Sequence, residues 1–169
     1  MNSSKSFRNL INFGYYFMIV IWMIILGLLI FSIFLDSNRI MAFFNSSTEI
    51  SIKSKSALIS VISYTLISGA FWLYILRLFR NLLDSLLDEP LFDQFQSTSF
   101  KLIGRQIILL TNIDLLALFI FRLIFEKRLE LEFDMIEYWL VIALGLFMVF
   151  LSKVFNEAKI LKEENELTV

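Results

Sequence analysis

The chain contains no cysteine and no histidine. Disulfides, thiolate nucleophiles, imidazole catalysis, zinc sites and the commonest haem ligands are thereby excluded. Proline occurs once and glycine five times in 169 residues, and no glycine-rich loop suited to cradling a phosphate is formed. Charge is sparse too. Charged residues make up 18% of the chain, against about 25% in ordinary globular proteins. A net charge of −1 sets up no basic field, so direct binding of nucleic acid is not expected. No serine–base arrangement stands out, and no pair of carboxylates falls within one helical turn inside an apolar run. The expectation is a protein that is not an enzyme and that needs no cofactor or metal.

What the chain has instead is apolar surface. Hydrophobic residues reach 58%, against roughly 45–50% in soluble domains. A soluble protein of this size could not hide that much from water, and a lipid bilayer is its natural solvent. Four runs approach the roughly 20 residues that a bilayer-crossing helix needs. Counted strictly they are 10–35, 57–76, 106–121 and 138–152. Flanking residues that can reach toward the interface, among them Arg105, Arg122, Glu137 and Lys153, extend the later ones. The expected architecture is an all-α membrane protein: a four-transmembrane-helix bundle with an amphipathic cytoplasmic loop and a helical C-terminal tail. Its single integral membrane domain, 1–169, has spans at about 10–35, 57–80, 104–125 and 136–153 and a tail at 154–169. A cleaved signal peptide fits the first run poorly, because the run is too long and no small-x-small site follows it.

Orientation follows from Lys and Arg. The N-terminal segment, the second loop and the tail hold nine of the fifteen, and the first and third loops hold six. The positive-inside bias then puts both termini in the cytoplasm of a multi-pass protein of the inner (plasma) membrane. Aromatic pairs near span ends, Trp72 with Tyr74 and Tyr138 with Trp139, read as interfacial belts, while Trp22 lies deeper and should pack between helices. In the first loop the apolar patch 40–44 reads as a plain connection or as a segment lying on the membrane surface. The third loop, with its alternating charge Glu126-Lys127-Arg128-Leu129-Glu130, reads as a solvated turn.

Asp114 is the one acid deep within a span, in "LLTNIDLLALF". An ionisable group at that depth costs roughly 2.5–3.5 kcal/mol if it faces lipid, so it must face other helices or be protonated. Thr111 and Asn112 are its chain neighbours. At about 1.5 Å per residue along antiparallel helices, Asp114 falls level with Ser68, in a second span rich in small and hydroxyl residues. Asp114 is therefore expected near Thr65 or Ser68. The cluster reads either as a packing latch or as a proton, cation or ligand site. The latch is preferred, because broken helices and internal symmetry, the marks of transporters, are missing from the sequence.

Two cytoplasmic stretches carry pattern. "RLFRNLLDSLLDEP" puts Leu82, Leu83, Leu86 and Leu87 on one stripe, with Asn81, Asp84, Ser85 and Asp88 opposite. Pro90 ends that helix, and Phe92, Phe95 and Phe100 follow as apolar anchors. This loop, 81–104, either rests on lipid headgroups or grips a partner. The tail can continue the fourth helix, with Lys153/Glu157, Lys159/Glu163 and Lys162/Glu166 at i, i+4 spacing. Its free end, through Leu167, Thr168 and Val169, could be captured by a backbone nest or a strand-addition groove, or it simply terminates the helix.

The tail "VFNEAKILKEENELTV" resembles the closing signature of a bacterial family of small four-span membrane proteins of unknown function, through Phe155, Ala158, Leu161, Glu163, Glu164, Asn165, Glu166, Leu167, Thr168 and Val169. Glu89-Pro90-Leu91-Phe92 resembles that family's acidic-Pro-Phe turn, with Leu91 inserted, and Leu102-Ile103-Gly104 its following motif. The resemblance implies four spans, a cytoplasmic tail and no enzyme. It also implies a neighbouring helix-turn-helix transcription regulator of the Xre/Cro type as a cytoplasmic partner. Glu163, Glu164 and Glu166 would suit a basic patch on such a protein.

The expected function is thus a non-enzymatic membrane regulator or sensor that binds a cytoplasmic partner through the loop 81–104 and the tail 154–169. Partner contacts are assigned to Pro90, Phe92, Glu163, Glu164, Asn165, Glu166, Leu167, Thr168 and Val169. The alternative is a small transporter or immunity-type protein working through the intramembrane cluster Asp114, Asn112, Thr111, Ser68 and Thr65. Besides the lipid bilayer, a second copy of the chain is a compatible partner.

Overall fold

A backbone that leaves water must satisfy its own N–H and C=O groups, and the apolar runs do so as helices. The computed structural model describes residues 2–34, 40–42, 45, 52–88, 91–127 and 134–167. Four long helices carry nearly all of them: α1 (Asn2–Phe34), α2 (Lys55–Asp88), α3 (Gln94–Phe121) and α4 (Met135–Leu167). All four are long and apolar enough to cross a membrane. The described residues contain no strand.

Three of the helices start on a side-chain cap. Ser54 Oγ accepts from the Ala57 amide ahead of α2, and Asp93 Oδ2 from the Phe95 amide ahead of α3. Asp134 Oδ1 accepts from the amides of Ile136 and Glu137 ahead of α4. Each satisfies donors that the first helical turn leaves over.

α2 and α4, with 34 and 33 residues, are about 50 Å long at 1.5 Å per residue, against a hydrocarbon core of about 30 Å. Each has over a dozen residues more than a crossing requires. The stretch 81–104, read from the sequence as helical up to Pro90, is the end of α2, a short connection and the start of α3. Its faces differ from the pattern. Ser85, placed on the polar side, is only 4% exposed, whereas Leu87, placed on the apolar stripe, is 42% exposed. Ser85 is held inward by the Gln96 side chain, as described below.

The chain divides into two compact units. Unit 1 comprises Met1–Tyr15, Tyr74–Thr111 and Asp134–Val169. Its helices approach at glycine. A Cβ on Gly104 of α3 would lie 2.5 Å from the Gly145 carbonyl oxygen of α4 and 2.8 Å from Val149 Cγ2. Small residues let membrane helices touch backbone to backbone in this way, where apolar side chains gain little by leaving lipid.

Unit 2 comprises Tyr16–Leu73 and Asn112–Phe133. Its core is Ile40, Ile52, Ala57, Leu58, Val61, Ile62 and Leu66, with Trp22, Leu26, Leu118 and Phe121 among the side chains packed on it. Ile40 is thus a core residue, and 43 and 44 of the same apolar patch lie outside the described residues. Asn45 holds Ile52 in place through both halves of its amide, accepting from the Ile52 N–H at 2.7 Å and donating to its carbonyl at 3.1 Å. Lys55 Nζ donates to the Ile33 carbonyl at 2.8 Å and so closes the C-terminal end of α1. Trp22 packs between helices, its Nε1–H donating to the Leu66 carbonyl at 2.9 Å.

After α3 the helix widens into one π turn, Arg122–Glu126, and stops at Lys127 in the left-handed conformation (φ 55°). Arg122 does not reach for the interface. It is 3% exposed, at the residue where the hydrogen-bond register shifts and side chains are re-aimed. The rest of the third loop, 128–133, lies outside the described residues.

Candidate functional site

Asp114 is the centre of the polar cluster in unit 2. Three donors on α2 converge on its carboxylate. Tyr64 Oη donates to Oδ1 at 2.6 Å, Ser68 Oγ to the same oxygen at 2.8 Å, and Trp72 Nε1 to Oδ2 at 3.3 Å. The two hydroxyl bonds are near the short range of charge-assisted hydrogen bonds, and the indole bond is the weakest of the three. Both carboxyl oxygens are thus occupied, Oδ1 by two hydroxyls and Oδ2 by the indole N–H. The Tyr64 ring is held from the side by Phe121, edge to face at 5.5 Å between centroids.

The depth estimate that sets Asp114 level with Ser68 corresponds to a direct hydrogen bond. Thr65 does not join in. Its hydroxyl donates to the Val61 carbonyl of its own helix at 2.9 Å. Thr111 behaves likewise, donating to the Ile107 carbonyl at 2.8 Å. A hydroxyl in a membrane helix finds the carbonyl four residues back without any partner helix, and neither threonine is drawn to the acid. Asn112 is exposed.

The sequence reading does not include Tyr64 or Trp72 in the Asp114 cluster, although a signal for both is there. Positions 64, 68 and 72 recur every fourth residue, so a tyrosine, a serine and a tryptophan present their donors along one face of α2. Trp72 thereby serves the carboxylate, where the sequence reading put it in an interfacial belt.

Beside this cluster unit 2 has a cleft of about 250 Å³ between α1 and α2. α1 contributes Met18, Ile21, Trp22 and Ile25, and α2 contributes Tyr64, Thr65, Ser68, Gly69, Trp72 and Leu73. Gly69 makes room for the Trp22 ring, because a Cβ there would come within 3.1 Å of Trp22 Cδ1.

The residues assigned to a partner fall in unit 1, and the structure treats them differently. Phe92 is used internally. Its ring packs on Phe155 of α4 at 5.3 Å, and Phe155 also meets Phe100 at 4.9 Å. Phe92 has a left-handed backbone (φ 69°), an uncommon state for a bulky residue. Gln96, fully buried, holds the connection around it. Its Oε1 accepts from the amides of Phe92 (2.9 Å) and Asp93 (3.3 Å), while its Nε2 donates to the carbonyl and hydroxyl of Ser85, both at 3.3 Å. One amide side chain thus ties the end of α2 to the start of α3. Ser97 Oγ adds a bond to the Ser152 carbonyl of α4 at 3.0 Å.

Farther along α4, Lys159 Nζ donates to Gln94 Oε1 at 2.9 Å and pairs with Glu163 at 3.5 Å. Asp93 lies in the same area. The backbone N–H of Phe95, then that of Gln94, hold its carboxyl below the ordinary carboxylate range, and Lys159 and Lys162 add attraction. Beyond this anchored stretch Glu163, Glu164 and Asn165 are exposed. The helix continues through Glu166 and Leu167, whereas Pro90, Thr168 and Val169 lie outside the described residues. Arg8 pairs with Asp88 at 3.3 Å and with Asp84 at 3.8 Å. Among the described residues no group of three or more acidic side chains is placed to hold a metal ion.

Four membrane-length helices, one of them carrying an intramembrane carboxylate held by donors from another, define a multi-pass membrane protein. Within that class the chain belongs to the family described as protein of unknown function (DUF2975), whose pattern matches residues 44–169. No curated protein and no solved structure matches the chain.

Proposed function

We propose that this protein is a non-enzymatic membrane regulator or sensor that docks a cytoplasmic protein on the helical end of unit 1. The observation that carries this reading is the form of α4. It continues as one helix to Leu167, is braced at its root by Phe155 and Lys159, and then presents Glu163, Glu164 and Asn165 exposed. A stiff acidic helix end loses little freedom on binding and complements a basic surface. A DNA-binding regulator of the helix-turn-helix class offers such a surface, and occupying it would compete with phosphate contacts. The Lys and Arg distribution favours both termini in the cytoplasm of an inner-membrane protein, which puts this end on the side where such a partner would be found.

Asp114 is read as a latch between α2 and α3. The alternative, a small transporter or immunity-type protein acting through Asp114, has its motive in the same carboxylate. Three α2 donors already commit that group to holding two helices together.

The test is to delete 163–169 from the 169-residue chain and compare the two forms in a pull-down with a helix-turn-helix regulator of the Xre/Cro type as prey. Membrane insertion should be unchanged and recovery of the regulator lost. Equal recovery with the shortened chain would overturn the docking role. A tag on the last residue that is reachable only from outside the cell would overturn the orientation and the partnership with it.

A further inference from the structure

We propose that the cleft between α1 and α2 in unit 2 binds a lipophilic organic cation: an ammonium group on an apolar body. This goes beyond the docking role and does not depend on it.

The inference starts from where the protons of the cleft point. Tyr64 and Ser68 line it, and both spend their hydroxyl protons on Asp114. Thr65 lines it and spends its proton on the Val61 carbonyl. The N–H groups of Trp22 and Trp72 are committed to the Leu66 carbonyl and to Asp114. Every polar side chain of the wall has therefore turned its donor away. What three of them still offer the cleft is hydroxyl lone pairs, which accept hydrogen bonds and attract positive charge.

Two further features have the same sign. The Asp114 carboxylate stands directly behind the wall, one hydroxyl away through Tyr64 and Ser68, and the surroundings at this depth screen charge weakly. Two indole rings, Trp22 and Trp72, line the cleft, and tryptophan is the best aromatic partner for a cation. No basic side chain lines it. The remaining wall is Met18, Ile21, Ile25, Gly69 and Leu73, which suits a hydrocarbon body and excludes a hydrated metal ion. An anion would meet lone pairs and a carboxylate. A neutral hydrocarbon would fill the space but gain nothing from these polar groups.

A matched pair of probes separates the two occupants. Benzyltrimethylammonium and neopentylbenzene have the same shape, and only the first is charged. The full-length protein is placed in nanodiscs of zwitterionic lipid, and saturable binding of each probe is measured by equilibrium dialysis against protein-free nanodiscs. The cation should bind about tenfold or more tightly than its neutral twin. Asp114→Asn, which keeps an acceptor oxygen but removes the charge, should bring the two to within about twofold. Ile21→Trp fills the cleft from α1 without touching the carboxylate cluster. It should abolish saturable binding of the cation, and it keeps the assignment testable should Asp114→Asn fail to fold. Equal binding of the two probes to the unaltered protein would overturn the proposal. So would cation binding that Ile21→Trp leaves unchanged.

Discussion

The two units hold their helices together by different chemistry. In unit 1 the contact between α3 and α4 is backbone against backbone, at Gly104 and Gly145, and the α2–α3 connection is tied by a neutral amide, Gln96. In unit 2 an apolar core is supplemented by one carboxylate that gathers three donors from α2. The first arrangement depends on shape and tolerates almost no added volume. The second depends on hydrogen bonding and should tolerate a change of volume better than the loss of an acceptor. Lipid gives apolar side chains little reason to associate, so membrane helices draw on both resources.

The sharpest way to break the comparison is at Gly104. Gly104→Val should cost about 3 kcal/mol or more, because the atoms it meets include backbone that cannot yield. Reversible unfolding in detergent or bicelles would show it. A loss under about 1 kcal/mol would mean that α3 and α4 do not touch there.

Next comes Asp114. Asp114→Ala strands three donors and should cost about 2 kcal/mol, at the modest value per bond found for membrane helices. Asp114→Asn, which keeps one acceptor, should lose about half of that. If the two substitutions cost the same, charge matters to the latch and not only the count of acceptors.

Gln96→Ala removes the amide that joins Ser85 to Phe92 and Asp93, and about 1–2 kcal/mol should follow. The smallest effect is expected at Asp93. Its carboxyl is held below the ordinary range when folded, so the stability it contributes is complete above that ordinary range. That contribution is lost as pH falls through the lowered folded value. Stability of the protein should therefore fall on acidification below about pH 4, and Asp93→Asn should flatten that part of the curve.

Much of the architecture was legible in the residues. The four long helices follow from apolar runs and sparse charge, and a rise of 1.5 Å per residue is enough to bring Ser68 level with Asp114. What stayed hidden was set by tertiary partners. Nothing in "LLDSLLDEP" says that Ser85 goes inward, because the partner that holds it is Gln96, eleven residues on. Arg122 reads as a cation at a span end until the π turn places it inside. Tyr64 and Trp72 were readable in principle from the every-fourth-residue spacing of donors. They were passed over because an aromatic in a membrane helix suggests packing or an interfacial position before it suggests a hydrogen bond.

Phe92 bends the chain through a backbone state that glycine adopts far more easily. The ring contact that offsets this comes from Phe155, near the far end of the chain. On the ribosome, the Phe92 ring therefore lacks this packing partner until α4 has been made, although Gln96 can already tie the connection. A chain stopped ahead of Phe155 should be cut by protease beside Phe92 faster than the 169-residue chain, because it lacks this ring contact. Any quality-control system that inspects the Phe92 ring would in effect be checking that synthesis had reached α4.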